Sequence, residues 1–168
     1  MGDRRWLSLR SRCRKNILDA GCGRGFYSEM IVKSGGNPFG VDVSFNMIRE
    51  CTNKNIKCMV ADVENLPFTF KFDKILCAGA LEFVRHPDKT LKEFNRVLKD
   101  NGIFVLLYPR LGFFGLLYFF YHRLHGINIT LFTKDTLNRL MINNGFEVLS
   151  NDNANILSSV LVAIKHNS

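Results

Sequence analysis

With 168 residues, 46% of them hydrophobic, the chain is long enough for one domain around a single core and too apolar to be disordered over most of its length. Its formal net charge of +8 is uneven: residues 1–15 carry six bases against Asp3, while residues 16–168 hold 17 bases and 14 acids. The body is therefore nearly balanced, and stable nucleic-acid binding is not expected of it. Residues 1–15 read as a basic leader, either solvated or drawn to RNA or anionic lipid by charge.

The elements follow in chain order. Apolar runs at Asn16–Ala20, Pro38–Asp42, Ile56–Ala61, Phe72–Ala78 and Ile103–Tyr108 predict strands buried on both faces. Helical patterns fall between them at 26–34, 44–54 and 88–99, and a fourth lies at 133–144 with Thr133 as its N-cap. Asp100-Asn-Gly102 and Asn143-Asn-Gly145 read as helix ends. Gly145–Ser150 and Ser158–Lys165 are joined only by the polar turn Asn151–Asn155, which predicts an antiparallel hairpin at one end of the sheet. Alternating strands and helices with short turns predict an α/β fold: a Rossmann-like, doubly wound, seven-stranded sheet, mostly parallel with the last strand antiparallel, and helices on both faces. The domain is expected over 16–168.

One stretch falls outside this alternation. Leu111–Tyr121 (LGFFGLLYFFY) is the most apolar run, but its 11 residues are well short of the ~20 needed to span a bilayer. Residues 109–132 are expected to form a substrate-side lid insert, its aromatic residues Phe113, Phe114, Tyr118, Phe119, Phe120 and Tyr121 lining an apolar pocket, meeting a protein partner or a membrane surface, or packing as a helix on the sheet. The five cysteines are odd in number and hold no C-x-x-C pair, so neither a disulfide framework nor a metal site is expected. A reduced, cytoplasmic setting is the default, and no apolar signal segment opens the chain.

The sharpest local signal is Ile17–Gly25, ILDAGCGRG. A strand runs into Gly21, Gly23 and Gly25, and a helix follows, so the backbone can turn tightly and approach a ligand. The spacing is G-x-G-x-G. It is not the G-x-G-x-x-G of dinucleotide folds, because position 26 is Phe. Asp19 at the strand end opposes a pyrophosphate but suits an ammonium, which argues against NAD. Asp42, at the end of the second strand, can accept hydrogen bonds from ribose hydroxyls or cap the next helix, as Ser44 also can. Asp62, after the third strand, can meet an adenine amine or close an ordinary Asx turn.

These three segments, in this order, resemble the class I S-adenosylmethionine (SAM)-dependent methyltransferases, in particular the ubiquinone/menaquinone-methyltransferase-like group of small-molecule enzymes. Residues 72–106 and 132–149 resemble that group's later strands and helices, and the resemblance covers about 16–165. It implies SAM as cofactor, S-adenosylhomocysteine (SAH) as product, and the following contacts. Asp19, Gly21, Cys22, Gly23 and Gly25 would surround the methionine part. Asp42 would hold the ribose, with Val43 and Met47 beside the adenine. Asp62 and Val63 would meet the adenine edge, and Cys77, Ala78 and Gly79 would run beneath the sulfonium. Two features depart from the group: Phe83 stands where many relatives have His, and only 15 residues precede the first strand, where relatives carry a longer helical cover. A short chain, a fragment, or cover supplied by a partner are the open readings.

In-line methyl transfer needs alignment and exclusion of water more than a catalytic dyad, and no dyad is evident. His86, Tyr108, His122 and His125 are the acid–base candidates. The expected substrate is a small, apolar or aromatic acceptor. The competing readings are a non-catalytic SAM-binding partner subunit and an RNA methyltransferase. The latter lacks a proline-aromatic tetrad, since Cys77-Ala-Gly-Ala-Leu81 stands in its place.

Overall fold

The computed structural model describes residues 15–166, without the side chains of Phe113, Phe114, Tyr118 and Phe119. Residues 1–14 of the basic leader lie outside the described residues. The strands are β1 (Asn16–Ala20), β2 (Asn37–Asp42), β3 (Lys57–Val60), β4 (Phe72–Ala78), β5 (Leu98–Pro109), β6 (Phe146–Asn153) and β7 (Ser158–Lys165). The helices are α1 (Phe26–Lys33), α2 (Phe45–Thr52), α3 (Pro87–Val97), α4 (Phe113–Leu124) and α5 (Lys134–Asn143). One seven-stranded sheet runs β3-β2-β1-β4-β5-β7-β6. The strands from β3 to β5 pair in parallel, and β7 runs antiparallel between β5 and β6. This is the doubly wound, mostly parallel sheet expected from the alternation, with its hairpin at the edge.

Alternate residues of the central strands enter different clusters, because side chains on a strand alternate between faces. Leu18, Ala20, Ile75, Cys77, Phe104 and Leu106 join Leu91, Phe94 and Val97 of α3 and Leu137 and Met141 of α5. Ile17, Leu76 and Val105 join Ile31 of α1. Both faces are thus covered, which explains why the strands read as nearly continuous apolar runs. Asp19 shares a face with Ile17, so its carboxylate points toward α1.

Two boundaries differ from expectation. α3 ends at Val97, where Leu98 is already extended and pairs with Phe72, so Asp100-Asn-Gly102 lies inside an irregular strand rather than capping the helix. Asn101 takes the positive φ there. β6 continues to Asn153, so the hairpin turn is 154–157, where Asn155 Oδ1 accepts the Leu157 and Ser158 N–H groups. Thr133 caps α5 as expected, its side chain accepting the Thr136 N–H at 3.1 Å.

Most of the aromatic run forms a helix, α4. It leaves Leu116, Leu117, Phe120, Tyr121 and Leu124 exposed. The Phe113, Phe114, Tyr118 and Phe119 side chains are outside the described residues. Among those described, no helix is long and apolar enough to cross a membrane.

Candidate cofactor site

In a doubly wound sheet the strand order reverses at one point, and the crevice beyond the strand ends there is the natural ligand site. Here that point lies between β1 and β4. The glycine loop leaves β1 at this position. Its Gly21 and Cys22 N–H groups both donate to the Val41 carbonyl, at 2.8 and 2.9 Å, which folds the loop over the end of β2.

Gly21, Gly23 and Gly25 have φ of +74°, +52° and +79°, a region that L side chains rarely enter. Two of them differ in surroundings. A Cβ on Gly21 would sit 2.3 Å from the Ala80 Cβ, so Gly21 is required by the close approach of the segment after β4. A Cβ on Gly23 would meet nothing within 4 Å. Gly21 therefore serves packing, and Gly23 borders open space.

Two carboxylates flank the loop. Asp19 is 1% exposed and accepts the Ser28 hydroxyl at 2.6 Å. Burial pushes its carboxyl up to about 6, an effect tempered by hydrogen bonds from Ser28 and increased by the nearby Asp42. Asp42 is half-buried and accepts the Gly23 N–H at 3.0 Å and the Ser44 N–H at 2.8 Å, so it ties the glycine loop to the start of α2. Each of its oxygens keeps a further lone pair. Ser44 also caps α2, accepting the Met47 N–H at 3.4 Å.

The remaining residues fall around this centre. Val43 is exposed and Met47 half-buried, which leaves apolar surface beyond Asp42. Asp62 closes an Asx turn, its Oδ1 accepting the Glu64 N–H at 2.9 Å, and is exposed. The Val63 side chain enters the core, so only its backbone is left for a ligand. Glu64 accepts the Arg85 and His86 N–H groups, and Arg96 donates to the Leu66 and Phe68 carbonyls, which pins this segment. Cys22 packs with Ile48, Cys51 and Ile56, and Cys77 is buried, so both offer backbone rather than thiol. Ala78 is half-buried, and Gly79 is exposed with φ +66°.

The acid–base candidates do not converge. His86 is exposed at the start of α3. Tyr108 is buried and donates to Asn151 Oδ1 at 2.6 Å. His125 is exposed, its Nδ1 2.8 Å from the Tyr121 carbonyl oxygen. His122 sets its ring edge-on to Phe83, at 5.4 Å, beside the turn after β4.

Two residues escaped the sequence reading. Ser28 is a small polar residue on the inward face of α1, three places after Gly25. Glu82, in a short 3-10 turn at Leu81–Phe83, is 2% exposed although its neighbours are apolar. A lone acid in Ala80-Leu-Glu-Phe-Val84 was the available signal.

The described groups fit SAM. A buried carboxylate suits an ammonium, a second carboxylate suits ribose hydroxyls, and the open glycine backbone leaves room for the chain between them. The same buried carboxylate opposes a pyrophosphate.

A family model described as a methyltransferase domain matches residues 18–106, just over half of the chain. A ubiquinone biosynthesis O-methyltransferase of Coxiella burnetii is 35% identical over 95 residues, which cover 52% of this chain and 41% of that one. Curated relatives are longer, and the chain spans 34–41% of their length. Among solved structures, a SAM-dependent methyltransferase of Methanosarcina mazei superposes with a TM-score of 0.82 at 19% identity and covers all of both chains. A methyltransferase in complex with the Haloferax volcanii Trm112 methyltransferase activator gives 0.83 at 18% identity, over 98% of this chain and 91% of that one. The two structures share the fold. The matched domain, whose span runs from the glycine loop to β5, shows that the chain belongs to the class I, SAM-dependent methyltransferase family.

Proposed function

We propose that this domain binds SAM at the β1/β4 crevice and transfers its methyl group to a small, apolar or aromatic acceptor. The carrying observation is the pair Asp19 and Asp42 on either side of a glycine turn that is open at Gly23. Asp19 would hold the ammonium, Asp42 the ribose hydroxyls, and Val43 and Met47 the adenine face. Asp62 and the Val63 backbone would meet the adenine edge, with Cys77, Ala78 and Gly79 beneath the sulfonium. SAM supplies a methyl group already activated by its positive sulfur. The protein's part is to align the acceptor in line and keep water out. The exposed apolar side chains of α4 support an apolar acceptor.

Calorimetric titration with SAM, SAH and NAD(H) tests the reading. SAM and SAH bind and NAD(H) does not; the reverse pattern would sink the proposal. Asp42→Ala is expected to weaken SAM binding by about 1–3 kcal/mol, the scale of a lost hydrogen bond to a charged group. The Gly23 and Ser44 N–H groups then turn to water, so thermal melting should change little. Unaltered SAM affinity in this variant would show that Asp42 serves only the loop.

A second reading concerns assembly. The likeness to a methyltransferase in complex with an activator, over nearly the whole chain, supports a protein partner for this domain. Co-expression with such an activator, followed by size-exclusion chromatography, tests it, and failure to co-elute counts against it.

A further inference from the structure

Glu82 is a buried acid with no evident structural duty. Its Oε2 has no hydrogen-bond partner among the described residues, and no cation pairs with it there. A buried carboxyl with one oxygen left unpaired is costly, and a fold alone would favour an apolar residue at this place. Its main chain is held firmly: the Glu82 carbonyl accepts the Thr130 N–H at 2.8 Å, and Leu81 beside it is fully buried.

Its position gives it a use. The turn follows β4 directly, and Ala80 packs against Gly21 of the glycine loop. A Cβ built on Gly79 would lie 3.9 Å from Glu82 Oε1 and near nothing else. The carboxyl therefore lies beside the Gly79 backbone, directly after the end of β4 that borders the crevice.

We propose that Glu82 is the fixed negative charge by which this site tells a cationic sulfonium from the neutral thioether that remains after methyl transfer. The inference rests on the cofactor reading above, in which the methionine half of the ligand spans the ends of β1 and β4. SAM and SAH share their ammonium, carboxylate, ribose and adenine, and differ by one methyl group and one positive charge at sulfur. A charge buried beside that sulfur acts through a poorly screening medium and needs no direct contact. It favours the cofactor over the spent product and assists product release.

The carboxyl is pushed up to about 7 by burial, so it titrates near neutrality. A sulfonium favours its ionised form, so SAM affinity gains as pH rises through this range, whereas a neutral thioether gains much less. The other groups near the turn do not mimic this. Asp19 and Asp42 face parts common to both ligands and cancel in the SAM-to-SAH affinity ratio. The Cys77 thiol on β4 is pushed up by burial and by Glu82 itself, away from the neutral range. His122 on α4 reaches the turn through Phe83 and is tested separately.

The experiment is calorimetric titration of the full chain with SAM and with SAH between pH 6 and 8. In the wild type the SAM-to-SAH affinity ratio is expected to rise about fivefold, the change that a one-unit shift of a group near 7 produces. In Glu82→Gln, which keeps the shape and removes the charge, the ratio should be lower and flat, with melting temperature maintained. In His122→Asn the rise should persist. A flat wild-type ratio, a rise retained in Glu82→Gln, or a rise lost in His122→Asn overturns the inference and leaves the cofactor reading standing. Failure of both ligands to bind the wild type overturns the cofactor reading, and the inference with it.

Discussion

Asp19→Asn is expected to stabilise the empty protein while weakening its grip on SAM. The two effects share one cause. Asp19 is almost fully buried beside Ser28, and its carboxyl is raised from 3.8 to about 6. A carboxyl raised on folding contributes fully below its unfolded pKa, and that contribution is lost as pH rises through the folded pKa. Above about pH 6 the ionised Asp19 therefore costs on the order of 2–3 kcal/mol, at ~1.4 kcal/mol per unit. Asparagine keeps an oxygen for the Ser28 hydroxyl and carries no charge. Denaturant unfolding at pH 8 should show a gain of about 1–3 kcal/mol that disappears near pH 4. In the same variant the SAM ammonium loses its counter-charge, and binding should weaken by about 1.5–3 kcal/mol. Wild-type SAM affinity should likewise fall as pH drops through about 6, since the ammonium prefers the ionised form. If Asp19→Asn is less stable at pH 8 and binds SAM normally, Asp19 is a structural acid and not a ligand group.

Gly21→Ala and Gly23→Ala are expected to fail in different ways. Both positions have positive φ, which costs an L residue roughly 1–2 kcal/mol. At Gly21 the new methyl also collides with the Ala80 Cβ at 2.3 Å, adding roughly 1–3 kcal/mol of overpacking. Its melting temperature should drop sharply. At Gly23 the methyl enters open space, so the fold should lose only the backbone term. That space is where the proposed ligand comes close to the backbone, and SAM binding should weaken tenfold or more. Thermal melting and calorimetry of the two variants separate packing from cradle. Wild-type SAM affinity in Gly23→Ala would mean that the opening does not hold the ligand.

Much of this arrangement was legible in the residues. The strands at Asn16–Ala20 and Phe72–Ala78 stood at their predicted bounds, because an apolar run buried on both faces has one stable fate in an alternating chain. Thr133 and Gly145 marked the ends of α5 through local chemistry alone. Asp100-Asn-Gly102 misled, since Leu98 finds Phe72 across the sheet and that pairing outweighs a local capping signal. The state of the aromatic run was left open in the sequence, because periodicity in a nearly all-apolar segment cannot report which face it buries, and the structure makes Phe113–Leu124 a helix.

What the sequence by itself determined is the order of the strands and of α1, α2, α3 and α5, the glycine turn after β1, and the acids at the ends of β1 and β2. These follow from local rules: apolar period, left-handed backbone at glycine, and the position of a polar residue beside an apolar run. Only the tertiary structure decided which glycine serves packing and which borders open space, because that depends on Ala80, 59 residues away from Gly21. It also decided the states of Asp19 and Glu82. Both are ordinary acids in the sequence. Their charge is set by burial and by the presence or absence of a partner such as Ser28, quantities that exist only once β1, β4, α1 and the turn after β4 have been brought together.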